Sequence, residues 1–143
     1  VGALPTRPPR VLIAGCGTGQ QALAAASRYA GADVLAVDLS RRSLGRAMRL
    51  ARERGLKNLR FAQADLLLLG DLPDRFDLIE CGGVLHHLHD PMAGWQVLRG
   101  LLAKGGVMKV ALYSEAARQG VLAARALLDV ERGEVTVERL RAG

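Results

Sequence analysis

Apolar residues in this chain fall into two kinds of pattern. Val11-Leu12-Ile13-Ala14 and Val34-Leu35-Ala36-Val37 are short continuous apolar blocks, as expected of strands buried on both faces. Leu59, Phe61 and Gln63 alternate with Arg60, Ala62 and Ala64, a less uniform pattern that suits a sheet edge. Further strands are expected from Phe76 onward and over Val107-Met108-Lys109-Val110-Ala111-Leu112. Between them the period changes. Gln20 to Ala30 reads as a helix, and Leu44, Ala47, Met48 and Ala51 make one buried helical stripe at the spacing of three and four residues.

Asp90-Pro91 predicts an N-cap followed by proline in the first helical turn, with Gly94, Val97, Leu98, Leu101 and Leu102 as the packing face. Ser114 is expected to cap a helix running to about Val130, and Thr136–Arg141 reads as the start of another. Strands alternating with helices predict an α/β fold, a mostly parallel sheet covered on both faces.

The first strand runs into glycines at every second position, Gly15-Cys16-Gly17-Thr18-Gly19. A strand-to-helix turn of this kind brings backbone amides close to a ligand, because no Cβ intervenes. Asp38 ends the next strand nineteen residues after Gly19, a spacing that suits a carboxylate accepting from ribose hydroxyls. The dinucleotide fingerprint needs its third glycine one residue later, where this chain has Gln20. A bulky polar side chain there argues against a pyrophosphate on the turn, and so against an NAD-type dehydrogenase.

Ala14-Gly15-Cys16-Gly17-Thr18-Gly19 resembles motif I of class I S-adenosylmethionine-dependent methyltransferases. Leu59–Asp65 resembles that family's third strand, Phe76–Leu88 its fourth strand and following segment, and Leu102–Val107 the turn before its fifth. The likeness covers roughly residues 10 to 128. Its nearest branch looks like the methyltransferase domains of bacterial tetratricopeptide-repeat proteins, with menaquinone/ubiquinone-type enzymes as cousins.

The resemblance implies strand order 3-2-1-4-5, with the cofactor across the carboxyl ends at the switch between strands one and four. It implies S-adenosyl-L-methionine as cofactor, Asp38 on the ribose, Leu39 beside the adenine and Asp65 on the adenine amino group. Gly15, Cys16, Gly17, Gly19, Leu66 and Cys81 complete the implied cofactor-binding set. Two positions depart from the family. Ile13 stands where an acid is usual, and Lys104 stands where a proline is usual.

At 143 residues the chain is long enough for one domain with its own core. We expect a linker over 1–10, a cofactor-binding core over 11–130, and the start of a truncated helical segment over 131–143. The family's sixth and seventh strands have no pattern in Asp129–Gly143, so strand five is expected to be an exposed edge and a route to self-association. No signal peptide or membrane span is apparent, and a cytoplasmic setting is expected. Cys16 and Cys81 read as reduced, buried thiols, although a disulfide between them is conceivable.

Net charge is +6, and the basic residues are densest from Arg41 to Arg60. With no aromatic residues interleaved, this run reads as a solvated helix face rather than a nucleic-acid surface. The expected acceptor is a small molecule, not nucleic acid or membrane. Candidate groups for proton transfer are Glu80, His86, His87 and Tyr113, with Glu80 and His86 foremost; a strand-end structural carboxylate is the alternative for Glu80. His86, His87 and His89 match no compact zinc pattern, and no metal is expected. The reading is therefore methyl transfer, with a cofactor-binding module that transfers nothing as its alternative.

Overall fold

The computed structural model describes residues 7–113. Five strands, β1 (Arg10–Ala14), β2 (Asp33–Asp38), β3 (Leu59–Gln63), β4 (Phe76–Gly82) and β5 (Leu102–Ala111), alternate with helices α1 (Gln20–Arg28), α2 (Arg41–Glu53) and α3 (Pro91–Gly100). They form one sheet in the order β3-β2-β1-β4-β5, with every pairing parallel. The expected doubly wound order is the observed one. The helix expected over Ser114–Val130, the segment Asp129–Gly143 in which no further strand is expected, and the helix start at Thr136–Arg141 lie outside the described residues.

Alternate residues of each strand build two cores. Val11, Ile13, Val34 and Ala36 pack with Ala22, Leu23 and Ala26 of α1 and with Leu44 and Ala51 of α2. Leu12, Ala14, Val37, Ile79 and Cys81 pack on the opposite face with Leu98 of α3. Each valine, leucine or isoleucine among them, fully removed from water, contributes about 1.5–3 kcal/mol, and each alanine less. Asp90 caps α3 by accepting from the N–H groups of Met92 at 2.9 Å and Ala93 at 3.1 Å. Gly94 lets α3 lie close, since a Cβ there would meet Leu88 Cδ1 at 2.4 Å.

Several details differ from expectation. Met48 is 39% exposed while Leu44, Ala47 and Ala51 are buried; it lies at the margin of the stripe, where the sheet no longer covers it. Residues Leu66–Asp71 form a 3₁₀ segment that hydrophobic periodicity did not disclose. A 3₁₀ turn repeats every three residues over too short a span to show a pattern. The turn expected at Leu102–Val107 is an irregularity within β5. Phe76 pairs with Leu102 and Leu78 with Val107, so extra residues of β5 loop out between them. The arginines of α2 are exposed or half-exposed, with one intrahelical ion pair, Arg49 to Glu53 at 3.7 Å. Such a pair contributes only a few tenths of a kcal/mol, about 0.3–0.5.

Candidate functional site

The carboxyl ends of β1, β2 and β4 enclose a cleft of about 400 Å³, within the range typical of small-molecule sites. Its geometry begins with the turn after β1. Gly15 and Cys16 both donate their N–H groups to Val37 O at 2.9 Å, tying the turn to the end of β2. Asp38 completes this tie. Its Oδ2 accepts from Gly17 N–H at 2.7 Å and its Oδ1 from Ser40 N–H at 2.8 Å. One carboxylate thus fixes the glycine turn and the entry to α2 together. Each oxygen retains a further acceptor site.

Two glycines of the turn serve different ends. Gly17 has φ +52°, and a Cβ added there would meet nothing within 4 Å. It lines the cleft, so a side chain would occupy ligand space. Gly19 has φ +96°, and its Cβ would fall 2.6 Å from Ala47 Cβ. It is where the start of α1 packs against α2, a packing position.

At the β3 side, Asp65 Oδ1 accepts from Leu67 N–H at 2.9 Å and caps the 3₁₀ segment. Ala64 donates to Asp38 O at 3.2 Å, which holds the two acids on neighbouring strand ends. Gly82, Gly83, Val84, His87 and Leu88 form the opposite wall.

Of the residues expected to touch cofactor, Gly15, Gly17, Asp38, Leu39, Asp65 and Leu66 line this cleft. Cys16, Gly19 and Cys81 are not among its lining. Cys16 belongs to the core on the α1 face and Cys81 to the core on the α3 face, and both are free thiols. Burial pushes each thiol up to about 11, helped at Cys16 by the negative charge of Asp38. The thiols are accordingly neutral at physiological pH.

The histidine pair is divided. His87 lines the cleft, whereas His86 does not, and their rings lie 4.1 Å apart. Periodicity does not reveal which of them faces the ligand, because the Leu85–His87 segment is a single 3₁₀ turn. Glu80 is buried on β4 below the cleft, 3.8 Å from Lys109 Nζ on β5. The partner expected for a carboxylate in an apolar strand is thus Lys109. Among the described residues no cluster of His, Cys, Asp and Glu is arranged to hold a metal ion, and no helix is long and apolar enough to cross a membrane.

The model of the methyltransferase domain family matches residues 11–106. The ubiquinone biosynthesis O-methyltransferase of Leptothrix cholodnii is 36% identical over 98 residues, covering 68% of this chain and 41% of that one. The tRNA 5-carboxymethoxyuridine methyltransferase of Escherichia coli K12 is 36% identical over 107 residues, covering 73% and 40%. A solved S-adenosylmethionine-dependent methyltransferase from Clostridium acetobutylicum superposes with a TM-score of 0.63 at 29% identity, over 70% of this chain and 41% of that one. Such relatives are longer proteins, of which this chain spans between 30% and 44%. The chain belongs to the class I S-adenosylmethionine-dependent methyltransferase family, whose cofactor is S-adenosyl-L-methionine.

Proposed function

We propose that the protein binds S-adenosyl-L-methionine in this cleft and transfers its methyl group to a small-molecule acceptor. The observation that carries the reading is Asp38, which spans the glycine turn and the start of α2 while facing the cleft. Its remaining acceptor capacity suits the two ribose hydroxyls. Asp65 keeps Oδ2 for the adenine amino group, because Oδ1 is engaged by Leu67 N–H. Leu39 and Leu66 offer apolar surface for the adenine ring. Gly17 leaves room for the cofactor to lie against the backbone.

When bound, the cofactor supplies a methyl group on a positively charged sulfur, already activated for attack. The chain's own part is then to orient, to exclude water, and to hold a proton where the acceptor loses one. His87, on the β4 wall, is the titratable group placed for that last task; Glu80, below the cleft, is not. The small-molecule acceptor finds support in the ubiquinone-pathway relative, and in a basic α2 that carries no aromatic residue to stack bases.

Calorimetry of Gly17→Val with S-adenosylhomocysteine tests the site. The variant should retain a native circular dichroism spectrum and lose measurable binding; normal binding would remove the turn as the cradle. Label transfer from radiolabelled cofactor to quinone-like phenols, carboxylic acids and bulk tRNA tests the acceptor. Label on tRNA alone would overturn the small-molecule reading.

A further inference from the structure

Leu39 occupies a position that the core does not explain. It is 63% exposed, yet it lines the cleft. It also belongs to no ladder of its own, because Asp38 ends β2 and Ser40 caps α2. The parallel pairing of β2 with β3 stops at Asp38 and Gln63. Ala64 N–H adds one last bond to Asp38 O at 3.2 Å, and beyond it the backbone has left the sheet.

One tether holds Leu39 from the side of α2. Asp38 Oδ1 accepts from Ser40 N–H at 2.8 Å, closing the short side-chain turn that aspartate makes two residues on. That turn leaves the Leu39 carbonyl to find a donor elsewhere.

The donor is Gln63, whose Nε2 stands 3.1 Å from Leu39 O. Hydrophobic patterning marks Gln63 only as an alternating position on an edge strand. It is exposed and is not among the residues that line the cleft. Its side chain nevertheless joins two sides of that cleft. Gln63 ends β3, two residues before Asp65 and three before Leu66. Asp65 and Leu66 line the cleft from the end of β3, and Leu39 lines it from the end of β2. The bond therefore fixes the separation of these two walls before a ligand arrives.

We infer that Gln63 is a positioning residue for the adenine ring of the cofactor. It lies outside the slot and acts through Leu39, holding that residue at the distance from Leu66 that admits a flat heteroaromatic base. A slot set in advance spares the ordering of its lip on binding. The inference rests on the proposed orientation of the cofactor, with adenine between Leu39 and Leu66.

Two substitutions separate the donor from the bulk of the side chain. Gln63→Met keeps length and neutrality and removes the N–H group; Gln63→Lys keeps an N–H donor at similar reach. In calorimetry Gln63→Met should weaken S-adenosylhomocysteine about fivefold, the net effect of one neutral hydrogen bond. It should weaken 5′-methylthioadenosine by the same factor, because that ligand keeps the adenine and lacks only the amino-acid end. Gln63→Lys should bind both ligands within about twofold of the unaltered protein, as its donor is retained. The urea midpoints of all three proteins should coincide, since an exposed side chain contributes little to stability.

Unchanged affinity in Gln63→Met, a loss confined to S-adenosylhomocysteine, or equal losses in the methionine and lysine variants would overturn the inference. A lowered urea midpoint in Gln63→Met would also overturn it, since the role would then be structural. Failure of the cleft reading looks different: the unaltered protein then binds neither adenosine ligand.

Discussion

The two halves of the sheet have nearly the same kind of sequence and very different surroundings. In β2, Val34, Ala36 and Val37 are at most 2% exposed, with α1 and α2 over one face. In β5 no residue is buried, and Val107 is 62% exposed. Both segments are rich in valine and small apolar residues. What distinguishes them is place: β2 has strands on both sides, while β5 ends the described sheet. Hydropathy identifies a strand, and neighbours decide whether it is buried. The half with neighbours is also the half that presents the two acids and the glycine turn.

The largest effect that would break this contrast is at Gly19. Gly19→Val forces a β-branched residue to φ +96° and drives its Cβ against Ala47. Left-handed backbone and overpacking together should cost about 3 kcal/mol, read from urea unfolding. Gly17→Val has only the backbone term, about 1–2 kcal/mol, so the two glycines should separate into one that holds the fold and one that clears the site. Equal destabilisation would mean that α1 and α2 do not depend on close approach.

Asp38→Ala removes the ribose acceptor and also the acceptor for Gly17 and Ser40 N–H. Binding of S-adenosylhomocysteine should fall by about 2–3 kcal/mol, roughly a hundredfold. Asp38→Asn keeps one acceptor oxygen and should fall between the two. Unchanged calorimetric affinity in the alanine variant would remove Asp38 from the site.

The thiols give a pH-dependent comparison of the two cores. Both Cys16 and Cys81 are raised from 9.0 to about 11 in the folded protein. Between those values the unfolded chain has lost protons that the folded chain retains. Stability should therefore be flat below about pH 9 and fall as pH rises toward 11. Replacing either cysteine by alanine should flatten part of the slope, Cys16 for the α1 face and Cys81 for the α3 face. A smaller effect follows from the cap of α3: Asp90→Ala should lower stability by about 1 kcal/mol, seen as a lower Tm with cofactor affinity retained.

The alternation of strands and helices made the α/β class legible for physical reasons, whereas the strand order followed from the family resemblance alone. Glycine spacing and the strand-end acids are local, so Gly15, Gly17, Asp38 and Asp65 are readable without coordinates, and all four line the cleft. Cys16 and Cys81 join that set only through the family resemblance, and in the chain they adjoin residues that line the cleft. Neighbouring positions on a strand or turn face opposite ways, and both cysteines face the cores. The β4 wall was missed in part. Gly83, Val84 and Leu88 follow a strand end in short 3₁₀ geometry with no periodicity to read. Register was invisible as well. That Ile13 faces Glu80 emerges only from pairing.

The gentlest test falls on β5 itself. Val107 lies on the same sheet face as Leu78, its register partner, and is the most exposed valine described. Lys109 is the only charge on that strand between Val107 and Ala111. An apolar strand that ends the described sheet, with so little charge over this stretch, is a candidate for pairing with a second copy. Val107→Lys removes little buried area, so stability should change by no more than about 0.5 kcal/mol. Its effect should appear in sedimentation velocity, where the unaltered chain associates as concentration rises and the variant does so less. The same substitution should leave S-adenosylhomocysteine affinity unchanged, because Val107 pairs at the amino-terminal half of β4, remote from the cleft. Unaltered association would mean that β5 is not the contact, and the contrast between the two halves would then concern burial alone.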